Sequence, residues 1–125
     1  MSRRYCLTLD LQDDPQLIAE YLRHHHHVWP EVTQSIRESG ILDMEIYLLG
    51  THLFMIIEVI EQFSFDAKAE ADRNNPITQQ WEQLMWKFQR PLPQARPGEK
   101  WVLMERIFKL DGGKRGFPDR SSTPE

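Results

Sequence analysis

The spacing of hydrophobic and polar positions changes period several times along this chain, and each change marks an element. Tyr5-Cys6-Leu7-Thr8-Leu9-Asp10-Leu11 alternates with period two and predicts a strand. From Leu17 the spacing lengthens to three and four residues, which predicts a helix through Trp29. Asp13 or Asp14 is placed to cap it, and Pro15 suits its first turn. Pro30 has no N–H to offer the carbonyl of His26, so a kink or restart is expected there. Val32 and Ile36 continue the apolar stripe until Gly40 ends the helix. Leu42 to Leu49 and Leu53 to Ile60 then read as two strands joined by the hairpin signal Gly50-Thr51-His52. In the second of these, Leu53, Met55, Ile57 and Val59 share one face. Phe54, Ile56, Glu58 and Ile60 take the other, so both faces are apolar enough to need covering.

The C-terminal half repeats the theme. Phe65 to Arg73 predicts a short helix that stops near Asn74-Asn75, and Pro76 opens another whose stripe is Ile77, Trp81, Leu84, Met85 and Phe88. Pro91, Pro93 and Pro97 force a loop, and Trp101 to Leu110 alternates as a last strand. The order strand, helix, strand, strand, helix, strand is that of a ferredoxin-like α+β sheet with helices on one face. The other face is left bare, and pairing two such sheets in a homodimer is the natural remedy. One domain over residues 1–111 is expected. The Gly-, Ser-, Pro- and charge-rich stretch 112–125 is expected to be a flexible tail.

Composition narrows the partners. The 125 residues are 40% hydrophobic, enough for a buried core in a single domain. Fifteen basic against nineteen acidic residues give a net charge of -4 with no basic stripe, which argues against nucleic acid or a membrane surface as partner. A lone cysteine, Cys6, excludes an intrachain disulfide. Met1-Ser2-Arg3-Arg4 is followed by alternation and not by the apolar run of a signal peptide, so a cytoplasmic location is expected.

The run His24-His25-His26-His27 is internal and has to be explained as part of a folded element. Stepping about 100° per residue, Leu17, Ile18, Tyr21, Leu22, Val28 and Trp29 fill an arc of about 140°. His25 falls near its middle, His24 and His26 on its shoulders and His27 opposite. Consecutive histidines diverge too far to converge on one ion, and only His24 and His27 have chelating spacing, so no metal is expected. An inward His25 reads as a core histidine bonded to backbone, or as an acid/base group in an apolar pocket. Burial would keep it neutral, with one nitrogen to donate and one to accept. Tyr21, one turn earlier, brings a phenol to the same place, a pairing suited to proton shuttling without a cofactor. Trp81, Glu82 and Trp86 form a second group. Rings at helical spacing pack cores, but sugars also stack on such rings while carboxylates collect their hydroxyls.

The spacing Tyr21-x-x-x-His25-x-x-x-Trp29-Pro30-Glu31 after an alternating strand resembles the L-rhamnose mutarotases. The likeness runs on through Gly40, the Ile46-Tyr47-Leu48 strand, the strand carrying Glu58 and Trp81-x-x-x-Met85. It covers nearly everything except the C-terminal tail. The resemblance implies a cofactor-free, dimeric α+β barrel that interconverts the α and β anomers of a free 6-deoxyhexose. It implies that the histidine matching His25 donates a proton, and that the residues matching Tyr21 and Trp81 contact the sugar. Two positions depart from the family pattern. A further sugar-contacting tyrosine falls at Met44, and the second ring of a tryptophan pair falls at Glu82. Both changes alter the polar groups around the pocket, which makes L-fucose a candidate beside L-rhamnose. Two other readings of such a barrel remain: an oxygenase, cofactor-independent or haem-associated, and a non-catalytic small-ligand-binding protein.

Overall fold

The structure, a computed structural model, describes residues 2–111. The stretch 112–125, expected as a tail, lies outside the described residues. The elements are β1 (Ser2–Leu11), α1 (Pro15–His26), α2 (Pro30–Glu38), β2 (Ile41–Leu49), β3 (His52–Ile60), α3 (Phe65–Arg73), α4 (Pro76–Trp86), β4 (Gln89–Arg90) and β5 (Val102–Leu103). The strands form one antiparallel sheet in the order β2-β3-β1-β4, with β5 also paired to β1. This is the ferredoxin-like α+β architecture that the element order predicts. Among the described residues no helix is long and apolar enough to cross a membrane.

Register follows from alternation. Leu7 sits opposite Met55, Leu9 opposite Leu53 and Tyr5 opposite Ile57, so the apolar rows of β1 and β3 meet on one face. Leu7, Leu9, Leu11, Leu53, Met55, Ile57 and Val59 are all buried there. On β2 a register shift between Ile41 and Asp43 inserts one extra residue. It turns Leu42 out to solvent and lets both Ile41 and Met44 serve the inner face despite their odd spacing. Gly40 enters this strand with φ of 99°, and a Cβ there would meet Ile60 at 2.9 Å, so both backbone and space ask for glycine.

The helix starts follow their caps. The Asp14 carboxylate accepts from the N–H groups of Gln16 and Leu17, and Asn75 accepts from Ile77 and Thr78, each before a proline. Ser64 caps α3 through Ala67.

Two expectations need correction. The first helix stops at His26, and His27 leaves it with φ of −140°. Pro30 confines Trp29 to an extended backbone, with ψ of 134°, so α1 cannot run through Trp29. Val28 and Trp29 reach the core as connector residues. With Trp29 off the helix, the buried stripe centres on Tyr21, with His24 and His25 half-buried beside it. Leu22, expected inside, is 42% exposed.

The last strand is also shorter than its pattern. Only Val102–Leu103 joins β1, and Met104 adds one bond from its N–H to the Cys6 carbonyl. Ile107, Phe108 and Leu110 are exposed. Alternation sets which way a strand's residues face, but a ladder also needs an edge to pair with, and from Glu105 the chain leaves that of β1.

Candidate active site

Between the inner face of the sheet and the helices lies an open cleft of about 880 Å³, a size ordinary for small-molecule sites. Tyr21 and His25 reach it from α1, Met44 from β2, and Trp81 and Glu82 from α4. All five candidate residues therefore share one cavity. Gln89, Lys100 and Trp101 line it as well and carried no signal in the sequence. Gln89 is a single amide beside a proline-rich loop, and Lys100 belongs to a charged stretch that reads as solvated.

The helix delivers Tyr21 and His25 together because they are four residues apart. Their rings lie 4.3 Å centre to centre, and the His25 ring also meets the edge of Trp81 at 5.7 Å. Trp81 is only 6% exposed and packs against Trp29 at 5.2 Å, so it belongs to the core and to the cleft wall at once. His24 touches Trp81 and Phe88, while His26 and His27 are exposed.

Hydrogen bonding sets the state of His25. Its Nδ1 lies 2.9 Å from the carbonyl oxygen of Tyr21, which can only accept, so Nδ1 carries the proton and donates. Nε2 is thereby the unprotonated nitrogen. Burial pushes the pKa of His25 below the usual 6.5, against a smaller upward pull from that backbone bond, and His24 and His26 lower it further. The imidazole is neutral at pH 7.

Tyr21 is the opposite case. Burial pushes its pKa up to about 12, offset in part by the Gln89 amide and reinforced by the charge of Glu82, so the phenol keeps its proton. Gln89 Nε2 stands 3.5 Å from the Tyr21 hydroxyl, and Gln89 Oε1 is buried with no hydrogen-bond partner among the described residues. Glu82 is not a free surface carboxylate. It forms an ion pair with Lys100, whose Nζ also donates to the Glu82 carbonyl at 3.0 Å and lies 4.9 Å over the Trp86 ring.

Fold and cleft together define a ferredoxin-like α+β protein carrying a neutral imidazole, a protonated phenol and a tethered carboxylate around one cleft. Residues 4–110 match the L-rhamnose mutarotase family, and the chain belongs to that family of sugar isomerases. It is 47% identical over 110 residues to an L-fucose mutarotase from Xanthomonas campestris pv. campestris, a match covering 86% of this chain and 88% of that protein. It is 32% identical to an L-rhamnose mutarotase from Acidiphilium cryptum, over 80% of this chain and 92% of the other. The crystal structure of an L-rhamnose mutarotase from Formosa agariphila has the same fold, with a TM-score of 0.64 at 19% identity, over 86% of this chain and 98% of that one.

Proposed function

We propose that this chain interconverts the α and β anomers of a free 6-deoxy-L-hexose, with L-fucose preferred to L-rhamnose and His25 as the general acid/base. The observation that carries the reading is the Nδ1 bond of His25 to the Tyr21 carbonyl, which leaves Nε2 unprotonated, as a base requires, on a side chain that lines the cleft. Opening a pyranose requires removing the proton of the anomeric hydroxyl and delivering one to the ring oxygen. Nε2 takes the first, and the protonated Tyr21 hydroxyl or the imidazolium just formed supplies the second. Rotation about the bond between carbons one and two, then closure with the proton transfers reversed, gives the other anomer. No bond to the protein forms and no electrons leave the sugar, so the reaction calls for no cofactor.

The sugar preference rests on Met44 and Glu82. L-Rhamnose and L-fucose differ in which hydroxyls are axial, at carbons two and four. A methionine where the family has a tyrosine removes one hydroxyl, and a carboxylate in place of an indole adds an acceptor. Glu82 then reads the distinguishing hydroxyl and Trp81 lies along the sugar face. The 47% identity to a protein named L-fucose mutarotase supports this ranking. We also propose a homodimer packed through the sheets. Phe54 and Ile56 on the outer face of β3 are only half-buried, and Leu49 and Phe108 are exposed, so one chain leaves apolar surface for a second to cover.

Saturation-transfer NMR on L-fucose, L-rhamnose and control aldoses tests the activity. Faster anomer exchange with protein than with buffer is expected for the two 6-deoxy sugars, greatest for L-fucose and unchanged by a chelator. Binding without faster exchange would overturn the catalytic reading in favour of a ligand-binding protein.

A further inference from the structure

Lys100 stands apart from the proton chemistry, yet of the two ion-paired lysines that line the cleft, Lys68 and Lys100, it is the more buried. Its side chain is 10% exposed, against 40% for its partner Glu82. An ammonium has three protons to give. The Lys100 ammonium donates to the Glu82 carbonyl and to the Glu82 Oε1, and it lies against the face of Trp86. Glu82 and Trp86 are four residues apart on α4, so one turn of that helix takes up the whole ammonium. Lys100 has little left to offer a sugar. The carboxylate does: among the described residues Glu82 Oε2 accepts no hydrogen bond, and Glu82 lines the cleft.

The backbone that presents Lys100 is also restrained. Arg96 and Glu99 close a turn through bonds of 2.9 Å in each direction, with Gly98 between them at φ of 81°. The next residue, Trp101, packs against both clusters of the core. The cation therefore arrives on an anchored loop. An untethered glutamate on a helix samples several rotamers, and ordering it on a ligand costs entropy. Tethered by Lys100, it is ordered beforehand.

We propose that Lys100 is a positioning residue for sugar specificity: it pins the Glu82 carboxylate at the cleft so that Oε2 meets one particular ring hydroxyl, and the preference for L-fucose depends on that restraint. This rests on the mutarotase reading and deepens it. A fixed acceptor discriminates because a sugar lacking the matching hydroxyl leaves it unpaired, whereas a carboxylate free to swing into water does not.

The test measures kcat and KM for anomer exchange of L-fucose and L-rhamnose on the full chain, wild type beside Lys100→Met, Lys100→Arg, Glu82→Gln and the Lys100→Met/Glu82→Gln pair. Methionine keeps an unbranched apolar stem against Trp86 and removes the charge. Lys100→Met is expected to lower the L-fucose to L-rhamnose ratio of kcat/KM by about ten- to hundredfold, the range for a hydrogen bond to a charged group, with the loss carried by KM. Lys100→Arg should restore part of the ratio. The double variant should be no worse than Glu82→Gln alone, because both act on one contact. A role confined to stability would lower the melting temperature and leave the ratio where it was. An unchanged ratio in Lys100→Met, or additive losses in the pair, overturns the proposal. If Lys100→Met does not fold, an unchanged ratio in Glu82→Gln does the same. Wild type that exchanges neither sugar overturns the mutarotase reading itself. Wild type that exchanges both, with a ratio that Glu82→Gln changes and Lys100→Met does not, sinks only the role of Lys100. A ratio indifferent to Glu82→Gln as well sinks the selecting role of Glu82 and leaves the mutarotase reading standing.

Discussion

The Nδ1 proton of His25 is given to the carbonyl of Tyr21, 2.9 Å away and one helical turn earlier. That bond makes His25 a core histidine and a candidate catalyst at once. One nitrogen is satisfied by the helix that carries it, and the other is left unprotonated on a side chain that lines the cleft.

Loss of the imidazole should therefore be far more costly than loss of its exposed neighbour. His25→Ala is expected to lower the exchange rate by about 10² to 10⁴-fold, the usual contribution of a general acid–base group. His27→Ala, beyond the end of α1, should be nearly silent. Equal losses at both positions in the NMR exchange assay would remove His25 from the mechanism.

The pH profile follows from the direction of the His25 shift. Its folded pKa lies below 6.5, so the base is already unprotonated at pH 7 and activity should be flat there. It should decline only at pH values below 6.5. With Tyr21 at about 12, the phenol adds no alkaline loss in the neutral range. The same shift has a stability consequence. The unfolded chain takes up the proton first as pH falls, so stability is full above the unfolded pKa. It is lost as pH drops from there through the lower folded pKa. Urea titrations at a series of pH values check this, and an activity midpoint above 6.5 would contradict the assignment.

Met44→Tyr returns a phenol to the position where the family has one. It should move the preference toward L-rhamnose by about two- to tenfold, the worth of one ordinary hydrogen bond. Competition between the two sugars in one NMR sample reads the ratio directly. A folded variant with the wild-type ratio would show that Met44 does not select the sugar.

Sedimentation velocity at micromolar concentration should report a dimer. Ile56→Asp, which puts a charge on the outer face of the sheet, should shift the protein to monomer by making that face costly to desolvate. A wild-type monomer would refute the sheet-to-sheet pairing.

Much of this protein is written locally. Period-two alternation over Tyr5 to Leu11 and Leu53 to Ile60 determined the strands and which residues share a face, because side-chain direction along a strand depends only on parity. Asp14-Pro15 and Asn75-Pro76 determined helix starts through bonds that span two or three residues. The four-residue spacing of Tyr21 and His25 determined that their rings share a helix face.

Tertiary structure decided the remainder. It moved the centre of the α1 stripe from His25 to Tyr21 once Trp29 left the helix, and it used a bulge at Leu42 to bring Ile41 and Met44 to one side. It ended the last strand at Leu103 despite an alternation that runs to Leu110. It also paired Glu82 with Lys100, eighteen positions further along the chain beyond helix and proline-rich loop, and set Gln89 against Tyr21. Propensity, caps and periodicity act over a few residues. Which distant groups meet depends on how the sheet and helices close around the core, and that is a property of the packed chain as a whole.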